Sequence, residues 1–442
     1  MSAPTPSSLS QRPLSAMEEG IYRTDLGAPL NFTTNARITG PLTAEILRAA
    51  LPAVRDRHVH LRARIERDQA GHPCFRHDDV PPLQLRVAPD GDWVKELDDE
   101  LNLPFDAQGP LARFVLVPLG PAESYVLATI HHSVGDGMSG VFLMRDLTDA
   151  CAQVLAGQTP KLADLAEAVS VDAGLPPAAR GIRAWSHHAR FILRELWMLL
   201  TTGKPLKVRR DQPRYAHSRR ARVIPHQLDA ALTERLSARA RAEKTTVHGA
   251  LSAAMLLGTL ADANLPHAAV TFGTPVNLRA QLVPPVGEQV GFYVSMTLFR
   301  GRVTRDTPFW ALARAVRSQV ERTIARGDQL AVLDFLPRVM RLIGVARLAP
   351  RKLLERFEDA APSTTGLTNL GRLTIQTVHG PLKIEDCHFA ASPSALGDFL
   401  STATSLNGRL FWNFVWPDPV LTAPHAQRLV AAIIERLIRS VD

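Results

Sequence analysis

The chain has 442 residues, of which 45% are hydrophobic and 21% charged, values that are ordinary for a soluble globular protein with two sizeable cores. Its three cysteines are odd in number and far apart, so they do not indicate a disulfide framework, and we expect a reducing, cytoplasmic compartment. The first ten residues lack the pattern of a secretion signal, and no stretch has the unbroken apolar length of a transmembrane helix.

The most informative segment is the run 131–137, His-His-Ser-Val-Gly-Asp-Gly. The apolar, β-rich stretch 124–130 before it predicts a strand covered on both faces. Apolar residues then recur at helical spacing from Met138 to Leu155, and Gly157 offers a stop. The run is therefore predicted to lie at a strand-to-helix junction.

The residue types in this run suit proton transfer. Neighbouring residues of a strand point to opposite faces, so His131 and His132 are expected to have different surroundings. The dipole of the following helix disfavours a protonated histidine at its N-terminus and keeps a neutral base available. Asp136 has two interpretations here, as the cap of that helix or as a partly buried carboxylate paired with an arginine. Gly137 allows close approach of other atoms.

After a predicted linker at 160–180, the segment 182–199 predicts a helix with an unusually apolar face. That face is formed by Ile182, Trp185, Ala189, Ile192, Leu196 and Leu199, and it is broadened by Phe191, Leu193, Trp197 and Met198. A helix this apolar is expected to be buried in its parent domain. The alternative is that it lies on a membrane or receives an apolar substrate.

Much of the net charge of +8 lies in a basic run directly after this helix. The run contains Lys204, Lys207, Arg209, Arg210, Arg214, Arg219, Arg220 and Arg222, and it is opposed locally only by Asp211. We interpret it as a solvated connector. Nucleic acid is not an expected partner, because aromatic residues are not interleaved with the basic ones and no recognition motif is present.

The second half of the chain also alternates helices and strands. The patterns predict helices at 228–244, 246–260, 308–324 and 425–438, strands at 268–276 and 290–299, and a hairpin at Asn407-Gly408 between strands 401–406 and 409–416. We therefore expect an α/β protein with an N-terminal lobe over 1–180 that carries the histidine run. The apolar helix and basic connector then occupy 181–220, and a C-terminal lobe occupies 221–442.

The run of two histidines, three variable residues, aspartate and glycine resembles the HHxxxDG signature of the chloramphenicol acetyltransferase-like superfamily. That superfamily includes the condensation domains of nonribosomal peptide synthetases and the polyketide-associated O-acyltransferases. Further segments are similar to this family and follow its order, at 57–64, 103–113, 274–279, 290–293 and 368–371. The resemblance implies two α/β sandwich lobes in a V shape, with an active-site tunnel between them.

The resemblance also implies a role for each residue of the site. His132 is the general base that takes a proton from the acceptor as it attacks a thioester carbonyl, without an acyl-enzyme. His131 is mainly structural, and Asp136 pairs with Arg279. The strand predicted before Arg279 runs inward, which also favours a paired over a solvated arginine. The backbone N–H of Gly137 is a candidate donor to the oxyanion. We expect neither a metal site nor a permanently bound cofactor, and the substrate-binding residues are unknown.

The segment Thr-Asn-Leu-Gly at 368–371, the stand-alone length and the apolar helix look most like polyketide-associated O-acyltransferases. This resemblance implies transfer of an acyl group from acyl-CoA, or from a phosphopantetheine-linked chain on an acyl or peptidyl carrier protein, to an alcohol. The sequence contains no segment similar to an adenylation or carrier domain, so we expect any carrier protein to act in trans. For such an enzyme, the basic run is alternatively an attraction site for CoA phosphates, an acidic carrier protein or anionic lipid headgroups. Asp398-Phe399 is followed by Leu-Ser, unlike the Asp-Phe-Gly-Trp-Gly motif of the plant branch.

Three alternatives remain open at this point. The first is a stand-alone condensation enzyme that forms an amide or ester on a carrier-bound acyl chain. The second is a wax ester or diacylglycerol synthase, which shares the two histidines and acts at membranes. The third is a non-catalytic docking module that keeps the fold without the chemistry.

Overall fold

The computed structural model describes residues 11–166, 169–212, 218–342, 348–353, 355, 363–393 and 398–442. Within these residues, helices pack against two six-stranded sheets and a small three-stranded one, which confirms the α/β fold class. The V shape and the tunnel stay predictions.

The strands are numbered in chain order. They are β1 (Gln11–Pro13), β2 (Asn31–Thr39), β3 (Arg64–Arg67), β4 (Pro73–Arg76), β5 (Gln84–Val87), β6 (Ala112–Gly120), β7 (Glu123–His131), β8 (Arg220–Leu228), β9 (His267–Asn277), β10 (Val294–Thr304), β11 (Thr365–Arg372), β12 (Val378–His379), β13 (Leu382–Ala391), β14 (Leu400–Leu406) and β15 (Arg409–Asp418).

The α-helices are numbered in the same way. They are α1 (Ala16–Asp25), α2 (Ala44–Arg57), α3 (Trp93–Asn102), α4 (Gly137–Leu155), α5 (Val171–Gly174), α6 (Trp185–Thr202), α7 (Ala230–Ala242), α8 (Val247–Asp262), α9 (Phe309–Arg326), α10 (Asp328–Leu342) and α11 (Ala423–Val441).

The first sheet positions the histidine run. Its strand order is β12-β13-β2-β7-β6-β5, with β5 parallel to β6 and the other neighbours antiparallel. In β7, every residue after Glu123 is buried, which explains why this strand has so few polar positions. The strand ends at His131 and α4 begins at Gly137, so the predicted strand-to-helix junction is confirmed.

The second sheet has the order β10-β9-β11-β14-β15-β8, in which β11 is parallel to both of its neighbours. The predicted hairpin joins β14 to β15. Asn407 and Gly408 have φ angles of 52° and 80°, the left-handed conformation that a two-residue hairpin turn of this kind requires. The predicted helices and strands of this half are all present, with ends shifted by a few residues.

One sequence-distant segment crosses between the sheets. Strands β12 and β13 belong to the predicted C-terminal lobe but lie in the first sheet, where β13 pairs with β2 and β12 pairs with β13. On its other side, β13 accepts hydrogen bonds from the second sheet, from Thr404 Oγ1 to the Cys387 carbonyl and from Asn413 Nδ2 to the Phe389 carbonyl, both at 2.8 Å. The range 378–391 thus ties the two sheets together, and the boundaries at 180 and 220 stay predictions.

The interpretation of the basic run as a solvated connector is wrong for several of its arginines. Arg210 Nε lies 2.7 Å from Asp398 Oδ2, and Arg222 Nη1 lies 3.2 Å from Asp98 Oδ2. These carboxylates are distant along the chain, so counting only local acidic residues missed them. Arg214 lies outside the described residues, as do the first ten residues of the chain.

The expectation that the apolar helix is buried is also wrong. In α6, Trp185, Leu193 and Leu200 are 69%, 67% and 81% exposed. The side chain of Leu199 lies outside the described residues. Within the part of the chain that the structure describes, no helix combines the length and apolar character needed to cross a membrane.

Helix α4 sits directly on β2 because Gly140 has no side chain. A Cβ built at this position would lie 1.9 Å from Thr34 Oγ1. We expect Gly140→Ala to lower the free energy of unfolding by about 1–3 kcal/mol, since the helix must shift away from the sheet. Urea unfolding followed by circular dichroism measures this loss.

The matched control is Gly20→Ala in α1, where no described atom beyond the neighbouring backbone lies within 4 Å of the new Cβ. There the better helix propensity of alanine should leave stability unchanged or raise it by about 0.5–1 kcal/mol. Equal unfolding midpoints for Gly140→Ala and the unsubstituted protein would contradict the close approach.

Candidate active site

The candidate site is built on the N-terminus of α4. Asp136 is the N-cap residue, and its Oδ1 accepts a hydrogen bond from the Ser139 N–H at 2.8 Å. In return, the Ser139 hydroxyl accepts from the Asp136 N–H at 3.2 Å. This reciprocal capping box satisfies two backbone donors and fixes the turn that follows the two histidines.

His132 is held in one orientation by its own turn. Its Nδ1 lies 2.8 Å from the Gly135 carbonyl oxygen. Because a carbonyl oxygen can only accept, Nδ1 carries the proton and Nε2 keeps its lone pair. The ring packs against Phe32 and Phe292, with centroid distances of 5.2 and 5.5 Å. One of these aromatic residues comes from each half of the chain.

The surroundings of His132 favour the neutral ring. Burial lowers the pKa of His132 from its usual value of 6.5, and the adjacent His131 lowers it further. The side chain is nevertheless half-buried rather than fully enclosed. A neutral imidazole with an unprotonated Nε2 is the form that accepts a proton at neutral pH.

His131 has different surroundings, as the strand alternation predicts. Its side chain is buried, and its Nδ1 accepts a hydrogen bond from the Ser133 N–H at 3.1 Å. Nε2 therefore carries the proton and lies 3.3 Å from Asp25 Oδ2. Both ring nitrogens are engaged within the fold, so His131 holds the loop rather than offering a free base.

Asp136 is both a helix cap and the partner of a buried arginine, so the two interpretations hold together. Its Oδ1 lies 2.9 Å from Arg279 Nη2, and its Oδ2 accepts from the Tyr293 N–H at 3.1 Å. Arg279 also donates through Nη1 to the carbonyl oxygens of Gly287 and Gln289, at 3.0 and 2.8 Å. Asp136 and Arg279 are only 1% and 5% exposed, so this is a buried, hydrogen-bonded ion pair.

Ser139 is a functional neighbour that the sequence analysis missed. Its hydroxyl lies 2.8 Å from Asp136 Oδ1 and 3.0 Å from the Gly291 carbonyl oxygen. It also accepts from Arg279 Nη2 at 3.0 Å. The spacing of three residues from Asp136 is the capping-box pattern, which is the signal that could have found it.

A second set of contacts attaches the segment 279–293 to the first half of the chain. Glu288 Oε2 lies 2.7 Å from Arg145 Nη2 and 2.9 Å from Arg57 Nη2, and the hydrogen bond from Arg145 lowers the pKa of Glu288. His60 Nδ1 donates to the Val290 carbonyl oxygen at 2.7 Å. The range 279–293 is therefore attached to the first half on both sides of Phe292.

Gly137 faces residues from distant parts of the chain. It is the first residue of α4, so its N–H lacks an acceptor within the helix. A Cβ here would lie 3.1 Å from Leu370 Cδ2 and 3.3 Å from Phe389 Cε2. The segment 368–371 thus approaches the N-terminus of α4 closely.

Comparison with known proteins finds one matching family model and several related synthetases. Residues 217–410 match the family model "Phthiocerol/phthiodiolone dimycocerosyl transferase C-terminus". Nonribosomal peptide synthetase kk1B from Curvularia clavata is 31% identical over 311 residues, which are 66% of this chain and 2% of that protein. Phosphinothricin tripeptide synthetase PhsC from Streptomyces viridochromogenes is 30% identical over 351 residues, 74% of this chain and 30% of that protein.

Solved structures with this fold cover almost the whole chain. Polyketide synthase associated protein 5 from Mycobacterium tuberculosis has a TM-score of 0.69 at 20% identity and covers 99% of both chains. The first condensation domain of the CDA synthetase has a TM-score of 0.71 at 15% identity, over 98% of this chain and 97% of that one. The trichothecene 15-O-acetyltransferase of Fusarium sporotrichioides has a TM-score of 0.71 at 13% identity, over 97% and 95%.

The chain belongs to the chloramphenicol acetyltransferase-like superfamily. It spans less than a third of the length of the two synthetases that it matches. The family model that matches residues 217–410 is named for a transferase, and the Fusarium relative is named for O-acetyl transfer.

In this superfamily member, the structure brings together the residues that the sequence singled out. His132, Gly137 and the Asp136–Arg279 pair lie at one junction, with His131 directly behind it. The aromatic neighbours Phe32 and Phe292 were not predicted as site residues. No local pattern marks them, because only the fold places them on the His132 ring.

The ion pair between the halves should be a large contributor to stability. We expect Arg279→Met to lower the free energy of unfolding by about 3–5 kcal/mol, because it leaves the Asp136 carboxylate buried without its cation. Urea unfolding measures the loss. Arg317→Met is the control, since Arg317 pairs with Glu321 on an exposed helix surface and its loss should stay under about 1 kcal/mol. Similar losses for the two variants would contradict a special role for the Asp136–Arg279 pair.

Proposed function

We propose that this chain transfers an acyl group from a thioester to an alcohol and so forms an ester, with His132 as the general base. The observation that carries the proposal is the 2.8 Å contact between His132 Nδ1 and the Gly135 carbonyl, which leaves Nε2 unprotonated in a half-buried ring. The lowered pKa of His132 keeps this base neutral at neutral pH.

The proposed reaction needs only the acceptor, the thioester and this imidazole. The acceptor oxygen bonds to the thioester carbonyl carbon while its proton moves to Nε2 of His132. The resulting oxyanion then collapses, the carbon–sulfur bond breaks, and the thiolate leaves with the proton from Nε2. No acyl-enzyme forms, and no metal or redox group is consumed.

Gly137 is the proposed donor to the oxyanion. Its N–H is at the start of α4, without an intrahelical acceptor and at the positive end of the helix dipole. A backbone donor placed where negative charge develops is the usual way to stabilise such an intermediate. His131, Asp136 and Arg279 act as positioning residues in this proposal, since their contacts hold the loop and the segment that carries Phe292.

The donor is proposed to be acyl-CoA or an acyl group on the phosphopantetheine of a carrier protein. An O-acetyltransferase among the structural relatives supports a hydroxyl acceptor. The synthetase relatives support a second candidate, a condensation enzyme that acts on a carrier-bound chain and forms an amide or ester. The same base serves both reactions, because an amine and a hydroxyl each lose one proton.

The first prediction concerns the base itself. We expect His132→Ala to reduce turnover about a hundredfold or more, because the acceptor then loses its proton only to water. Product formation from a panel of thioesters and alcohols, followed by mass spectrometry, measures the effect. The control is His226→Ala, which removes another half-buried histidine from β8, and it should retain activity. Unchanged turnover in His132→Ala would favour a docking module or another base.

The second prediction concerns pH. A general base must be unprotonated in the free enzyme, and burial places the pKa of His132 below 6.5. We therefore expect kcat/KM to retain more than half of its plateau value at pH 6.5, with the midpoint of its acidic limb below 6.5. Steady-state rates in a constant-ionic-strength buffer series measure this profile. An acidic limb centred above 6.5 would argue against His132 in this role.

The third prediction separates the two donors. Purified protein is incubated with an alcohol or an amine acceptor and with either acyl-CoA or the same acyl group on a carrier protein. The free thiol released and the ester or amide formed are measured. Our proposal requires that an ester accumulates with at least one donor. Product formation only from a carrier-bound chain and an amine would replace it with the condensation reaction.

A further inference from the structure

Several large apolar side chains of helix α6 are exposed on the surface of the protein. The exposed residues from Leu193 to Leu200 recur at spacings of three and four, Trp185 lies on the same face about two turns earlier, and Ile182 precedes the helix. They are Ile182 (91% exposed), Trp185 (69%), Leu193 (67%), Leu196 (51%), Trp197 (66%) and Leu200 (81%). Helices of globular proteins normally turn such a stripe toward the core.

The opposite face of α6 explains this inversion, because polar side chains attach the helix to the protein. Arg194 Nη2 lies 2.6 Å from Asp328 Oδ1 at the start of α10. Glu195 pairs with Arg300 on β10, and His188 is buried against the protein. Arg194 and Glu195 thus attach α6 to the protein, and its large apolar residues are left exposed.

A contiguous apolar surface of this kind marks an interaction site, since it costs solvation free energy in water. The surface lies along one side of an 18-residue helix. The residues that follow this helix are basic rather than acidic. Arg190 and Lys204 are exposed on the helix and just beyond its end, and Arg209 is exposed further along. Apolar side chains between cationic groups match the boundary between lipid tails and anionic headgroups.

We propose that α6, together with Ile182, inserts into the headgroup region of an anionic lipid bilayer and anchors the protein at the membrane surface. Trp185 and Trp197 suit this depth, because an indole ring has an apolar body and a polar N–H. Lys204 and Arg209 would lie at the phosphates, where each basic residue adds to the attraction. This inference goes beyond the proposed acyl transfer and does not depend on it.

A second copy of the chain fits the same surface less well. In a two-fold dimer the patch would face itself, so an apolar surface flanked by exposed Arg190 and Lys204 would meet the same cationic surface of the partner. The chain also has a net charge of +8, so self-association works against repulsion that an anionic membrane would neutralise. Charge complementarity therefore favours lipid.

Vesicle flotation of the full chain tests the proposal. The protein is mixed with vesicles of phosphatidylcholine alone or of phosphatidylcholine with phosphatidylglycerol, and the floating fraction is measured. We expect the unsubstituted protein to float with the anionic vesicles. The double variant Leu193→Glu/Trp197→Glu should lower the apparent partition coefficient at least tenfold, and Lys204→Gln should weaken binding to anionic vesicles more than to neutral ones.

The matched control is the double variant Val87→Glu/Val378→Glu, which adds the same two charges at residues that are 40% and 54% exposed on the two edge strands of the first sheet. It should float like the unsubstituted protein. Circular dichroism and light scattering of each variant compare its fold and oligomeric state with those of the unsubstituted protein. Because flotation needs no substrate, failure of the acyl-transfer proposal leaves this result unaffected.

Two outcomes would overturn the proposal. One is an unsubstituted protein that stays at the bottom of the gradient with anionic vesicles. The other is a double variant that floats as well as the unsubstituted protein. A protein that does not float and is a dimer, which the double variant converts to a monomer, would assign the surface to self-association instead.

Discussion

The ion pair between Asp136 and Arg279 is the interaction on which the candidate site depends. One carboxylate caps α4, binds the arginine that follows β9, and accepts the N–H of Tyr293. A buried charge is tolerated only when it is paired and hydrogen-bonded, so loss of one of these contacts weakens the others. The start of α4 and the range 279–293 are thereby fixed relative to each other.

The same constraint sets the surroundings of His132. The tautomer of His132 is set by a neighbour in the sequence, because its Nδ1 donates to the carbonyl oxygen of Gly135 in the same turn. The two aromatic residues that pack against its ring come from distant parts of the chain. Phe32 lies in β2, and Phe292 lies in the segment that Arg279 anchors. Desolvation by burial lowers the pKa of His132, so the basicity of the ring depends on how the halves pack.

Ionic contacts between distant residues recur elsewhere in the molecule and change the meaning of its charge pattern. Arg210 and Arg222 appear in the sequence as members of an unopposed basic run, yet each has a carboxylate partner far along the chain. Helix α6 is likewise held by ion pairs to residues far along the chain. Arg194 and Glu195 bind α10 and β10, and this attachment leaves an apolar face exposed that a burial argument alone places inside.

The sequence by itself determined the features that depend on neighbouring residues: the junction of β7 and α4, the opposite surroundings of the two histidines, and the turn at Asn407-Gly408. These follow from strand alternation, capping and backbone conformation, which act over a few residues. Only the tertiary structure decided that β13 joins the first sheet, which aromatic residues contact His132, and which face of α6 is exposed. Those outcomes depend on contacts between segments far apart in the chain, which the spacing of neighbouring residues does not predict.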